Sequence, residues 1–170
     1  IYEKAAKVQP GQKWLKRVVA EMGGKNAIIV DSSADIQSAA SGVASSAFTF
    51  QGQKCSACSR ALVMSDVYDE FVDAVVAEAK KLAADQGAGR DNCAMGPVSS
   101  KSAFDMIASY IEIGRKEGNI VFGGNYSDEK GYFLEPTVIR DIRRTDRIAN
   151  EEIFGPVLPI ISYRSLDKAI

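Results

Sequence analysis

The chain's most reactive candidate nucleophile is Cys55, set in residues 48–60, which read FTFQGQKCSACSR. The Gly52-Gln53 turn is expected to deliver its thiol beside Lys54 and near Arg60, and neighbouring cations favour the thiolate, which is the attacking species. A buried structural cysteine accounts for the thiol alone. Cys55 and Cys58 also have C-x-x-C spacing, as in a thiol-disulfide oxidoreductase, but the intervening Ser56-Ala57 and the lack of a Trp-Cys-Gly-Pro context weigh against that pair. Two carboxylate positions stand out. Glu21 ends the run RVVA at 17–20 and precedes Gly23-Gly24, where backbone can approach a ligand closely; its plain alternative is a surface Glu at a strand end. Glu151-Glu152 precede IFGPV at 153–157, and such a pair alone reads equally as a solvated or capping pair.

What is absent restricts the chemistry further. The chain has no His, which removes Ser-His-Asp and Cys-His catalysis, His-ligated metals and imidazole switching. Acid-base work near neutral pH falls to carboxylates, Lys, Tyr or thiols. Three cysteines alone make a poor zinc site, so no metal is expected. With 21 Lys+Arg against 22 Asp+Glu and a net charge of −1, there is no basic patch for nucleic acid, and a membrane surface is an equally poor partner. The odd count of Cys55, Cys58 and Cys93 favours a reducing cytoplasm over a disulfide framework. Residues 1–10 lack the apolar core of a signal peptide, and the start at Ile1 rather than Met suggests a piece of something longer.

The elements that must position these residues follow from periodicity. A 170-residue chain with 46% hydrophobic residues has enough apolar content for a core. Residues 26–30, NAIIV, read as a strand buried on both faces. From Asp35, apolar residues at Ile36, Ala40, Val43, Ala47 and Phe50 give a buried helix, too polar for a membrane span, ending at Gly52-Gln53. Residues 61–64 are strand-like. Ser65-Asp66 then caps a helix striped by Val67, Phe71, Val75, Ala79 and Leu82. A Gly-, Asp- and Asn-rich loop covers 85–97, and Ser99 opens a helix striped by Ala103, Ile107, Ile111 and Gly114 that stops near Gly118. Strands are expected at 120–122, 133–139 and 157–161, with a last helix from about Ser165. Alternating strands and long helices predict an α/β layered fold with a largely parallel sheet and flanking helices. Residues 2–8 (a helix candidate) and 15–21 stand apart, with a domain boundary at Gly23-Gly24.

The motifs taken together resemble the aldehyde dehydrogenase superfamily. Residues 20–27, AEMGGKNA, look like its glutamate signature. Phe48, Gly52, Gln53, Cys55, Ala57, Ser59 and Arg60 fall where its cysteine signature has them, and EEIFGP at 151–156 looks like its third motif, in the order and at the separations of the family. Residues 1–12, IYEKAAKVQPGQ, together with 51–60 and Ser56 after the nucleophile, are most similar to the 1-pyrroline-5-carboxylate dehydrogenase branch. GYFLEPT at 131–137 adds family but no substrate information.

The resemblance implies an NAD-dependent enzyme oxidising glutamate 5-semialdehyde to glutamate through a thioester on Cys55, in proline degradation. It implies Glu21 as the base that activates the hydrolytic water, Glu152, Phe154, Met22 and Gly23 as the cofactor-binding residues, and Ser56 as a substrate contact. Residues 1–23 become the C-terminal remnant of an NAD-binding domain and 24–170 a truncated catalytic domain. The full enzyme is expected to be a cytoplasmic homo-oligomer acting on a small aldehyde, and the 170-residue piece to be inactive alone. Alternatives are a succinate-semialdehyde or betaine-aldehyde branch, or the Cys55/Cys58 dithiol. Aldehyde choice and NAD against NADP stay open at this point.

Overall fold

In the computed structural model, residues 1–87 and 93–170 are described. Helix α1 (Tyr2–Ala6) buries no residue. Residues 15–26 form neither helix nor strand, so the alternative reading of Glu21 as a surface residue at a strand end does not hold. Val18-Val19 have the β-branched bias, but no strand lies beside them among the described residues, and Val19 is 83% exposed. Regular structure starts with β1 (Ala27–Val30), which pairs only with β2 (Arg60–Met64). That edge position overturns the expectation of burial on both faces: only Val30 is fully buried.

Between these strands lies α2 (Ile36–Phe48), capped by the Asp35 carboxylate, which accepts from the Ser38 N–H at 2.7 Å. The helix stops at Phe48. Phe50, placed on its apolar stripe by spacing, instead follows in a 3-10 turn (Thr49–Gly52) and is 71% exposed. After β2 a second 3-10 turn (Ser65–Val67) leads into α3 (Tyr68–Ala84). The Ser65 hydroxyl donates to Asp66 at 3.2 Å and neither side chain caps α3, a correction to the expected start. Phe71, Val75 and Ala79 do form its buried stripe. Of the expected loop at 85–97, residues 88–92 lie outside the described residues.

Helix α4 (Lys101–Glu117) is capped by Ser100, one residue after Ser99, and ends at Gly118. Then come β3 (Asn119–Phe122), β4 (Tyr126–Ser127), β5 (Phe133–Leu134), β6 (Thr137–Arg140), α5 (Arg147–Asn150), β7 (Val157–Tyr163) and α6 (Leu166–Ala169). The single strand expected at 133–139 is two, because Pro136 lacks the N–H a continuous ladder requires. β5 pairs with β4 in a separate ribbon, while β6 joins the main sheet.

The main sheet has the order β1-β2-β7-β6-β3, parallel except for the β3–β6 pair. Strand alternation sends Val138, Leu158 and Ile160 into one core with α2 and α3, and Ile139, Val157 and Ile161 into a second with α4 and α5. Helices thus cover both faces, as a parallel sheet requires. No helix among the described residues is long and apolar enough to cross a membrane.

The turn entering β6 depends on one buried hydroxyl. Thr137 Oγ1 accepts from the Gly124 N–H at 3.0 Å and donates to the Glu135 carbonyl at 2.9 Å. Thr137→Val keeps the shape and strands the Gly124 N–H, so urea denaturation is expected to show a loss of about 1–3 kcal/mol; an unchanged midpoint would contradict this.

Candidate active site

The three motifs occupy the loops that enter β1, β2 and β7, three adjacent parallel strands, from the same end of the sheet. Their closest approaches fall at glycines. A Cβ on Gly52, whose φ is +66°, would overlap the carbonyls of Gly155 and Ala47. One on Gly24 would sit 3.1 Å from the Cys55 carbonyl, and one on Gly23 would overlap the Glu152 carboxylate. Polar contacts complete the join: the Gly24 N–H donates to Glu152 Oε1 at 3.0 Å, and Asn26 Nδ2 donates to the Cys55 carbonyl at 2.7 Å.

Cys55 and Ser56 are the two central residues of a turn closed by the Ala57 N–H on the Lys54 carbonyl at 3.1 Å, and both are exposed. The turn is anchored to the end of α2, where Ser46 Oγ accepts from the Cys58 N–H at 3.0 Å and Thr49 Oγ1 donates to the Ser45 carbonyl at 2.6 Å. Immediately before it, Phe50, Gln51 and Gly52 have φ of 59°, 57° and 66°. The left-handed backbone costs about 1–3 kcal/mol at each of the two non-glycine positions, so the surroundings must impose it. Gln53 supplies part of that restraint, donating to Ser99 Oγ at 3.2 Å and accepting from the Ser99 N–H at 3.0 Å.

The two cations that flank Cys55 in sequence each have a hydrogen-bond partner. Lys54 Nζ donates to Thr49 Oγ1 at 3.4 Å, and Arg60 Nη1 to the Ala149 carbonyl at 3.0 Å. Both side chains brace the loop, and neither is paired with a carboxylate among the described residues. Cys58 behaves as a buried structural thiol: Sγ donates to the Arg60 carbonyl at 3.4 Å, and burial pushes the thiol up to about 11. A thiol so held makes a poor partner in a dithiol pair.

A small cleft between these loops is lined by Lys25, Gly52, Lys54, Cys58, Glu152 and Phe154, among others. Cys55, Ser56 and Glu21 do not line it. Glu152 stands in it with one oxygen on Gly24, and Phe154, at φ 54° and 38% exposed, forms its rim. Glu151, the other member of the pair, is structural. Arg147 binds it through two nitrogens at 3.0 and 2.8 Å and the Tyr110 hydroxyl at 2.7 Å, and these contacts hold its carboxyl down to about 2. Glu21 and Met22 are exposed on the irregular segment before Gly23. Sequence reasoning missed two residues, Asn26 and Lys25. The Lys25 amine is buried without a hydrogen-bond partner, and burial, with Arg60 adding to it, lowers it to about 8 against an opposing pull from Glu152.

Comparison with known proteins places these features in a family. The aldehyde dehydrogenase family model matches residues 1–170. The chain is 52% identical over 170 residues to the 1-pyrroline-5-carboxylate dehydrogenases of Geobacillus thermodenitrificans and Staphylococcus aureus, covering all of this chain and 33% of each relative. It thus spans about a third of the length of these relatives. The solved 1-pyrroline-5-carboxylate dehydrogenase from Thermus with bound NAD superposes with a TM-score of 0.89 at 45% identity, covering 99% of this chain and 32% of that one. Proline utilization A from Bdellovibrio bacteriovorus gives a TM-score of 0.89 at 43% identity, covering 99% of this chain and 17% of that one.

Lys25 has a measurable signature. Its charged form is disfavoured in the native state, so the native chain carries that cost in full below about pH 8 and sheds it as pH rises from about 8 towards 10.5. Lys25→Met should therefore be more stable than the parent by urea denaturation at pH 7, with the gain shrinking across that interval. A gain that grew with pH would contradict the assignment.

Proposed function

The chain belongs to the aldehyde dehydrogenase family, and from that premise we propose that, within a longer protein, it performs the cysteine chemistry of NAD-dependent oxidation of glutamate 5-semialdehyde, formed from 1-pyrroline-5-carboxylate, to glutamate. The observation that carries this reading is the exposed Cys55 on a braced turn joined through Asn26 and Gly24 to the Glu152 carboxylate. The relatives' names supply the choice of aldehyde, and that choice puts the reaction in proline degradation. A succinate-semialdehyde or betaine-aldehyde branch has no observation in its favour.

The cofactor-facing residues fit a dinucleotide's nicotinamide end. Glu152 has one oxygen on the Gly24 N–H and keeps acceptor capacity for two ribose hydroxyls, and Gly23 leaves room for its carboxylate. Phe154 offers a half-open ring, the Gly23 backbone lies against the Glu152 carboxylate, and the exposed Met22 precedes it in sequence. When bound, NAD supplies the hydride acceptor. In the chain itself, the Cys55 thiolate attacks the aldehyde carbon to give a thiohemiacetal, and its backbone N–H is one donor to the developing oxyanion. Loss of hydride leaves a thioester on Cys55. Glu21 takes a proton from the water that attacks this thioester, and cleavage of the C–S bond releases the acid and the thiol. Ser56, beside Cys55 at the corner of the turn, donates to the substrate's α-carboxylate.

The same reading assigns residues 1–23 to the end of an NAD-binding domain and 24–170 to the catalytic domain, and it makes the piece inactive alone. Exposed Trp14, Leu15 and Val19 support a surface covered by other segments or by a second copy in a homo-oligomer. Three free thiols are consistent with a cytoplasmic enzyme.

In the longer protein, Cys55→Ala should abolish NADH production from glutamate semialdehyde and Cys58→Ala should largely spare it; equal losses would revive the dithiol reading. Glu21→Gln should give a burst of NADH followed by a steady state about 10²- to 10⁴-fold slower. Collapse of the burst itself would remove Glu21 from the hydrolytic role. Ser56→Ala should raise KM for glutamate semialdehyde more than for a carboxylate-free aldehyde of similar size, and equal effects would leave Ser56 structural.

A further inference from the structure

We propose that Asn26 is a positioning residue for Cys55, its side-chain amide clamping the turn that presents the thiol. This deepens the thiol reaction proposed above and rests on it. Asn26 Nδ2 donates to the Cys55 carbonyl at 2.7 Å and to the Ala57 carbonyl at 3.4 Å, so one NH2 group reaches both ends of the Cys55–Ala57 segment. The Asn26 carbonyl accepts from the Ser59 N–H at 3.0 Å, tying the same residue to the exit of the loop. One position further on, Ala27 is in register with Arg60, so the β1–β2 ladder fixes where Asn26 starts from.

The clamp acts on the atom that matters. With the Lys54 carbonyl held by the Ala57 N–H and the Cys55 carbonyl held by Asn26, the peptide planes before and after Cys55 are both restrained, and with them the direction of its Cβ and thiol. No other donor to the Cys55 carbonyl is present among the described residues, since the nearby Gly24 N–H is given to Glu152. An amide is suited to this because it offers two protons from one nitrogen; an aspartate of the same shape would set oxygen against oxygen. Asn26 is exposed at the start of an edge strand, so its loss bears on the turn more than on the core. A reacting atom misplaced by about 1 Å costs about 10²-fold in rate, so a local slackening is enough to matter.

The test uses the longer protein with Asn26→Asp, Asn26→Ala and Asn26→Ser, read by steady-state kinetics and by amide hydrogen exchange without substrate or cofactor. Asn26→Asp and Asn26→Ala should lower kcat by about 10- to 100-fold while KM for NAD and for aldehyde moves by less than about threefold, and Asn26→Ser, with one hydroxyl donor, should recover part of kcat. The Ala57 amide should exchange faster in the Asp and Ala variants while the amides of β2 and β7 keep their protection. Parental kcat in Asn26→Asp, or a fall in kcat with unchanged Ala57 exchange, would overturn the proposal. Should Asn26→Asp lose protection throughout β2 and β7, Asn26→Ser decides alone: reduced kcat with faster Ala57 exchange supports the clamp, and parental values for both overturn it. A parent without aldehyde dehydrogenase activity would overturn the reaction and this catalytic role with it, whereas faster Ala57 exchange would still report the clamp.

Discussion

Three close approaches at glycines hold the site together: Gly52 against the Gly155 carbonyl, which leaves no room for a Cβ, Gly24 against the Cys55 carbonyl, where a Cβ would be tight at 3.1 Å, and Gly23 against the Glu152 side-chain carboxylate. Each brings two of the three motifs into contact, and together they close a triangle among loops that are distant in sequence. A side chain at Gly52 would hold its loops apart, and one at Gly23 would displace the Glu152 carboxylate. The polar contacts from Gly24 to Glu152 and from Asn26 to Cys55 form only because the glycines have allowed the approach.

The rest of the fold supplies the frame for that triangle. Because β1, β2 and β7 are adjacent and parallel, the loops before them emerge side by side at one end of the sheet. Helix α2 ends at that place and lends Ser46 to the Cys55 loop, while Ile107 of α4 packs where Gly155 has no side chain. Strain is concentrated at the same location, in the left-handed Phe50 and Gln51 before the turn and in Phe154 at the cleft rim. Two buried cores on opposite faces of the sheet stabilise the whole against that cost.

Much of this was legible in the residues, and what was not has a common cause. Helices α2 and α4 could be read because their periodicity is local, although α4 opens at Ser100 rather than Ser99. The exposure of β1 could not, because whether NAIIV lies at an edge depends on which strand comes to flank it. Residues 17–20 have strand composition and no strand, since pairing partners are not a property of the run itself. At the site, the family motifs single out Cys55, Glu152 and Phe154, and the structure brings their three loops together. Lys54 and Arg60 flank Cys55 in sequence, and their hydrogen bonds to Thr49 and the Ala149 carbonyl are contacts no spacing displays. Asn26 and Lys25 sat inside a matched motif and were passed over, Asn26 because a clamp on a distant carbonyl is visible only in three dimensions.

The central claim is that these glycine-joined loops form one site in which Cys55 carries the acyl group. Acid-quenched digestion and mass spectrometry of the longer protein, mixed with glutamate semialdehyde and NAD, tests it most directly. A glutamyl adduct on the Cys55 peptide that requires NAD is the expected result. An adduct on Cys58 or Cys93, or one on Cys55 at the thioester oxidation level without NAD, would contradict the account.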